Sequence, residues 1–276
     1  MASASIAFIG GGNMASSIIG GLVAKGFSPK RIIVSDPSAE SLQRLRKVAP
    51  VKVTHDNAEA VAGADVVVLA VKPQVMKSVV ESIASTVSAT QPLIISIAAG
   101  IEVASLQRWF ATPRAIVRCM PNTPALVQSG ATALFANAQV NEDQHQLATT
   151  ILRAVGIALW VDDEAQLDAV TAVSGSGPAY FFLVMEAMQA AGEKMGLAPD
   201  MVRQLTLQTA LGAAQMAISS DVGAEELRRR VTSPGGTTER AVACFEEGGL
   251  RTLFESALNA ARDRSMALAR ELGDTE

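Results

Sequence analysis

The chain has only two cysteines, two histidines and one tyrosine in 276 residues, and each scarcity argues against a class of chemistry. Cys119 and Cys244 lie far apart with no CxxC spacing, against a disulfide framework or a thiolate metal site and in keeping with a reducing cytoplasm. No metal is expected. Neither His55 nor His145 falls in a motif that would make it a general base, and with Tyr180 alone a Tyr-x-x-x-Lys proton relay is absent. A net charge of −4 with pI near 5.4 gives no electrostatic pull toward nucleic acid or an anionic membrane. No apolar run approaches the roughly 18 residues that span a bilayer, so no membrane partner is expected. The opening MASASIAFIGGG has no basic segment ahead of an apolar core, so a secretory leader is not expected.

What the chain does have is 49% hydrophobic against 18% charged residues, the composition of a folded core. Its first part alternates continuous apolar runs with helical stretches. Strands are expected near 5–9, 31–34, 51–54, 65–71, 93–97, 115–119, 131–136 and 158–161. Helices are expected over 14–25, 39–48, 58–62 and 74–88. Continuous runs, rather than alternating ones, mark strands buried on both faces of a parallel sheet. After about residue 163 the strand-like runs stop and helical periodicity takes over, with small residues dense at 210–218. The fold class expected is α/β: a doubly wound, mostly parallel Rossmann domain over 1–163, then an all-α domain over 164–276. The helices of that second part have more apolar face than so small a domain can bury, so it is also expected to dimerise.

Gly10-Gly11-Gly12-Asn13-Met14-Ala15 follows the first strand and opens a helix, in the context G-x-G-x-x-G/A needs to hold a dinucleotide pyrophosphate. Free N–H groups and the positive end of the helix dipole would meet the phosphates. The second strand ends at Ser35-Asp36, the usual ribose corner. Asp36 could accept from a 2′-hydroxyl, could leave Ser35 and Ser38 to a 2′-phosphate, or could simply cap the next helix. Asn57 either meets the adenosine or caps. Ala70-Val71-Lys72-Pro73 and Ala98-Ala99-Gly100 close the fourth and fifth strands, where small residues would admit the nicotinamide ribose. Lys72 either touches phosphate or is a solvated lysine. Pro121-Asn122, in an irregular loop after the sixth strand, would lie at the nicotinamide end.

Two segments of the helical part read as loops at helix starts, Ser174–Tyr180 and Val231–Thr238. Glycines, proline and hydroxyls together can form an anion nest for a substrate carboxylate without an arginine. The set FIGGGNM, AVKPQ, SIAAGI, RCMPNTP, SGSGPAYFF and VTSPGGTTE resembles pyrroline-5-carboxylate reductase from about residue 5 to 270. That resemblance implies reduction of 1-pyrroline-5-carboxylate to L-proline, a helical domain interlocked with a partner subunit, and dimers gathered into a decamer in the cytoplasm. It implies cofactor contacts from Ile9, Gly10, Gly11, Gly12, Asn13 and Met14, from Ser35, Asp36 and Asn57, and from Ala70, Val71, Lys72 and Pro73. Ser233, Gly236, Thr237 and Thr238 would hold the substrate, with Ser176 and Gly177 nearby. NADPH is the expected donor, with NADH the alternative that Asp36 raises.

A cyclic imine is basic enough to be partly protonated near neutral pH, so the reductase needs no strong acid. Catalysis then rests on positioning, with the Thr238 hydroxyl on the ring nitrogen. Two rivals differ in what they require. A β-hydroxy acid dehydrogenase needs a base, usually a lysine, and Lys194, the only lysine after residue 77, lies outside the glycine–proline segments. A non-catalytic dinucleotide sensor has no use for TSPGGTT.

Overall fold

The computed structural model describes residues 4–273; the first three residues of the stretch read for a leader lie outside it. Eight strands form one sheet in the order β3-β2-β1-β4-β5-β6-β7-β8. They are β1 (Ile6–Ile9), β2 (Ile32–Ser35), β3 (Lys52–Thr54), β4 (Val66–Leu69), β5 (Leu93–Ser96), β6 (Ile116–Met120), β7 (Gly130–Ala136) and β8 (Gly156–Trp160). All neighbours pair in parallel except β6 and β7, which run antiparallel. Every strand expected from the apolar runs is present.

Helices α1 (Asn13–Ala24), α2 (Ala39–Val48), α3 (Asn57–Val61), α4 (Met76–Thr90), α5 (Val103–Phe110) and α6 (Glu142–Leu152) join these strands. Alternation along each strand divides the core in two. Ile6 and Phe8 of β1 pack with Ile18, Ile19 and Leu22 of α1, whereas Ala7 and Ile9 pack with Val61 of α3 and Val80 and Ile83 of α4. Each face of the sheet thus buries its own helices, which is what makes both residue parities apolar. Helix α6, absent from the sequence expectation, opens with a capping box in which Asn141 and Gln144 each bond the other's backbone N–H.

The rest is helical: α7 (Gln166–Val170), α8 (Gly177–Lys194), α9 (Pro199–Ile218), α10 (Ala224–Arg230), α11 (Thr237–Glu247) and α12 (Leu250–Gly273). The segment read as a glycine loop at 174–180 is not a loop. Thr171–Gly175 is a π-helical turn, with the Ser176 N–H donating to the Thr171 carbonyl at 2.8 Å, inside one continuous helical stretch, Gln166–Lys194. Gly175 serves packing there: a Cβ on it would lie 2.5 Å from Cε of Met120. By length and composition alone that 29-residue stretch could also cross a membrane, which corrects the reading that no apolar run comes close.

The compact units divide at a different place from the change in sequence pattern at 163/164. One runs to Ser176 and includes Ala260 onward; the other is Gly177–Asn259. Side chains explain the difference. Glu164 accepts from the Val103 N–H and from Arg118, both at 2.8 Å. Asp168 accepts from the Ser265 hydroxyl at 2.7 Å, and Arg108 donates to the Gly273 carbonyl. In the second unit the α8 and α9 helices bury little beyond Gly192 against Val202, and leave Phe181 68%, Met195 82% and Ile218 85% exposed.

Candidate functional site

The cofactor cradle begins where β1 ends. Gly10 has φ +101°, and a Cβ there would lie 2.5 Å from the Ala70 carbonyl oxygen, so only glycine lets the chain turn this close to β4. Helix α1 then starts at Gly12 with no side-chain cap and no acidic residue in its first turn, and a Cβ on Gly12 would meet nothing within 4 Å. An uncapped helix start beneath open space, at the β1/β4 switch point of the sheet, fits a dinucleotide pyrophosphate. Ile9 ends β1, Gly11 lies in the turn, and Asn13 and Met14 open α1.

Asp36 does not cap α2; Ser38 does, accepting from the Ser41 N–H. The Asp36 carboxylate instead braces the glycine loop. Its Oδ2 accepts from the Gly11 N–H and its Oδ1 from the Ser38 N–H, both at 2.7 Å. Asn57 is not a cap either, since Asp56 caps α3. Its Oδ1 accepts from the Ser35 hydroxyl at 2.7 Å, tying β2 to α3. His55, which no motif marked, reaches this corner as well, with Nδ1 2.8 Å from the Asp36 carbonyl oxygen. The signal that could have found it is register: parallel pairing sets Ser35 beside Thr54, so the next residue of β3 arrives at the end of β2.

The remaining strand ends are less uniform. Val71 and Pro73 are part-buried after β4, and Lys72 is exposed. Ala98 is buried after β5, followed by Ala99 and Gly100 in a turn. Asn122 beside Pro121 is a scaffold residue: its amide donates to the Ser174 carbonyl at 3.0 Å and accepts from the Ala131 N–H at 2.9 Å. Cys119 is 1% exposed, and burial pushes its thiol up, away from thiolate chemistry. Cys244 is exposed. Among the described residues no three His, Cys, Asp or Glu side chains cluster as metal ligands.

Of the 233–238 segment, expected as a loop, residues 233–236 form one and Thr237 and Thr238 already open α11. The Gly236 N–H donates to the Ser233 carbonyl at 3.0 Å across Pro234 and Gly235, whose φ of +72° gives a type II turn. Helix α11 starts directly after it, so the hydroxyls of Thr237 and Thr238 stand exposed in its first turn. The Gly235 N–H already holds one carboxylate, Oε2 of Glu239, at 2.7 Å. Ser176 closes the π-turn, and Gly177, the first residue of α8, is buried.

An uncapped glycine turn at the switch point of a doubly wound sheet, with a polar ribose corner beside it, defines a dinucleotide-dependent oxidoreductase. Residues 164–268 match the pyrroline-5-carboxylate reductase dimerisation family, and residues 5–100 match the family described as NADP oxidoreductase coenzyme F420-dependent. The chain is 59% identical to pyrroline-5-carboxylate reductase of Pseudomonas aeruginosa over 273 residues, covering 99% of this chain and all of that one. The structure of a pyrroline-5-carboxylate reductase from Coxiella burnetii superposes with a TM-score of 0.93 at 48% identity, over 97% of this chain and 99% of that one. A Plasmodium falciparum pyrroline carboxylate reductase solved with NADP bound gives 0.86 at 30% identity, over 98% and 99%. The chain therefore belongs to the pyrroline-5-carboxylate reductase family, NAD(P)H-dependent enzymes that reduce a cyclic imine to proline.

Proposed function

We propose that the 233–238 loop holds the carboxylate of 1-pyrroline-5-carboxylate and that Thr238 is the catalytic residue in its reduction to L-proline. The observation that carries this reading is the uncapped start of α11 behind a type II turn, with one backbone N–H already on a carboxylate. The hydroxyls of Ser233 and Thr237 complete the set of donors, and Gly236, whose own N–H closes the turn, gives the substrate backbone room. The Thr238 hydroxyl accepts from the iminium N–H of the protonated substrate and holds the ring in place. The bound NAD(P)H supplies the hydride that the imine carbon receives. Because the imine carries its own proton, no side chain need act as a strong acid. Ile9–Met14, the Ser35–Asp36 corner with Asn57, and 70–73 hold the cofactor. Ser176 with Gly177, Ala98–Gly100 and Pro121 contribute shape; Asn122 acts through the loop it braces.

Residues 164–276 act as the substrate-binding and dimerising part, a reading supported by the dimerisation match and by the exposed apolar faces of α8 and α9. Their cover is a second copy of the chain rather than lipid, and dimers assemble further, to a decamer, in the cytoplasm. Mixing the purified protein with 1-pyrroline-5-carboxylate and NADPH, then NADH, tests the reaction. Proline should form as the nicotinamide is oxidised. A protein that binds dinucleotide yet oxidises neither would defeat the reading. Sedimentation of the same sample should show a dimer or a larger species; a monomer would remove the dimer from the proposal.

A further inference from the structure

His55 is anchored in a way that fixes what its ring can do. Its Nδ1 lies 2.8 Å from the carbonyl oxygen of Asp36, the residue directly after β2. A carbonyl only accepts, so Nδ1 carries the hydrogen in either charge state. That leaves Nε2 as the nitrogen that changes role: an acceptor in the neutral ring, a donor in the imidazolium.

The surrounding charges have partners of their own. Both Asp36 oxygens face backbone N–H groups. Asp56 accepts from the Ala58 and Glu59 N–H groups. Glu59 pairs with Lys52 at 2.9 Å and bonds Thr54, which, with Lys52, holds its carboxyl below the usual range. On α2, Glu40 pairs with Arg44 at 3.0 Å. The imidazole is therefore the group at this corner that can switch between accepting from a hydroxyl and donating to a phosphate.

We propose that His55 selects between the two cofactors by its protonation. The neutral ring accepts from a 2′-hydroxyl, as NADH presents, and the imidazolium donates to a 2′-phosphate, as NADPH presents. This rests on the reading of the glycine loop and ribose corner as the dinucleotide site. Preference for the 2′-phosphate then declines as pH rises and the imidazolium gives up its proton.

The test is calorimetric titration of the whole protein with 2′,5′-ADP and with 5′-ADP, at about pH 6 and about pH 8.5. The affinity ratio of the two should fall roughly tenfold between these values, a charge-assisted hydrogen bond's worth. In His55→Asn, whose amide can still donate to the Asp36 carbonyl, that part of the decline should vanish; the phosphate's own ionisation, near pH 6, is common to both proteins. Near pH 7.5, above the phosphate's pKa, the unaltered protein should take up protons on binding 2′,5′-ADP and none on binding 5′-ADP. Equal declines in the two proteins, or no proton uptake, overturn the role of His55. If neither probe binds the unaltered protein, the cofactor-site reading falls and this proposal with it.

Discussion

Of the helices that begin without a side-chain cap, α1 after Gly12 and α11 after Gly236 are the two to which we assign ligands, and they are built on different physics. The first is held by sterics. Gly10 is wedged against the Ala70 carbonyl, Gly11 is bonded to the carboxylate of Asp36 just after β2, and the helix behind packs Ile18, Ile19 and Leu22 into a core. The second is held by turn chemistry, a proline and a left-handed glycine, with its donors and hydroxyls in the open. Charge differs in the same sense. The α1 start has no acid in its first turn, whereas α11 has Glu239 bonded to the loop. A pyrophosphate carries more negative charge than a single carboxylate, and the helix start assigned to it has no acid in its own first turn, Asp36 reaching only the Gly11 N–H ahead of it. On the proposed assignment, the cradle for the cofactor is fixed by close packing, and the loop for the substrate is held by its turn.

The largest effect should come from disturbing the rigid member. Gly10→Ala places a methyl where there is 2.5 Å of room and forces a non-glycine residue to positive φ. Dinucleotide binding should be lost and stability should fall by roughly 3 kcal/mol, seen in calorimetric titration and thermal melts. Retained binding would mean the loop yields as easily as the 233–238 segment and the contrast is false. Next is Thr238→Ala. Turnover should drop about 10- to 100-fold, the worth of one hydrogen bond to a charged group, with dinucleotide affinity unchanged. Unaltered turnover would take Thr238 out of the reaction. The smallest is Glu239→Gln, which keeps an acceptor for Gly235 and removes a like charge from the substrate loop. The KM for 1-pyrroline-5-carboxylate should fall about two- to fivefold, the range of a charge near a helix end, with kcat held. A rise in KM would show that the Glu239 charge organises the loop instead of opposing the ligand.

How far the sequence could be read follows the same division. Buried parallel strands leave continuous apolar runs, so every strand and the glycine turn were legible. The antiparallel turn-back of β7 was not, because an apolar run has no direction. Glycine misled where its purpose is packing: Ser174–Tyr180 has the composition of a loop, yet Gly175 is small because Met120 needs the space. Asn122 sits in a motif and so passed for a ligand contact, while its amide is committed to Ser174 and Ala131. His55 sits in no motif and was passed over, although register delivers it to Asp36. Composition locates a special segment; only pairing tells which group faces which.

The last helix carries a consequence for synthesis. Leu250–Asn259 belongs to one compact unit and Ala260 onward to the other, where Ser265 bonds Asp168 and the Gly273 carbonyl accepts from Arg108. The sheet unit is thus interrupted in the chain by the other unit, and its turns from Ala260 onward leave the ribosome only after that unit. Until they arrive, Asp168 and Arg108 lack their partners on that helix. The nascent sheet domain must wait, nearly finished, while an entire second unit is made.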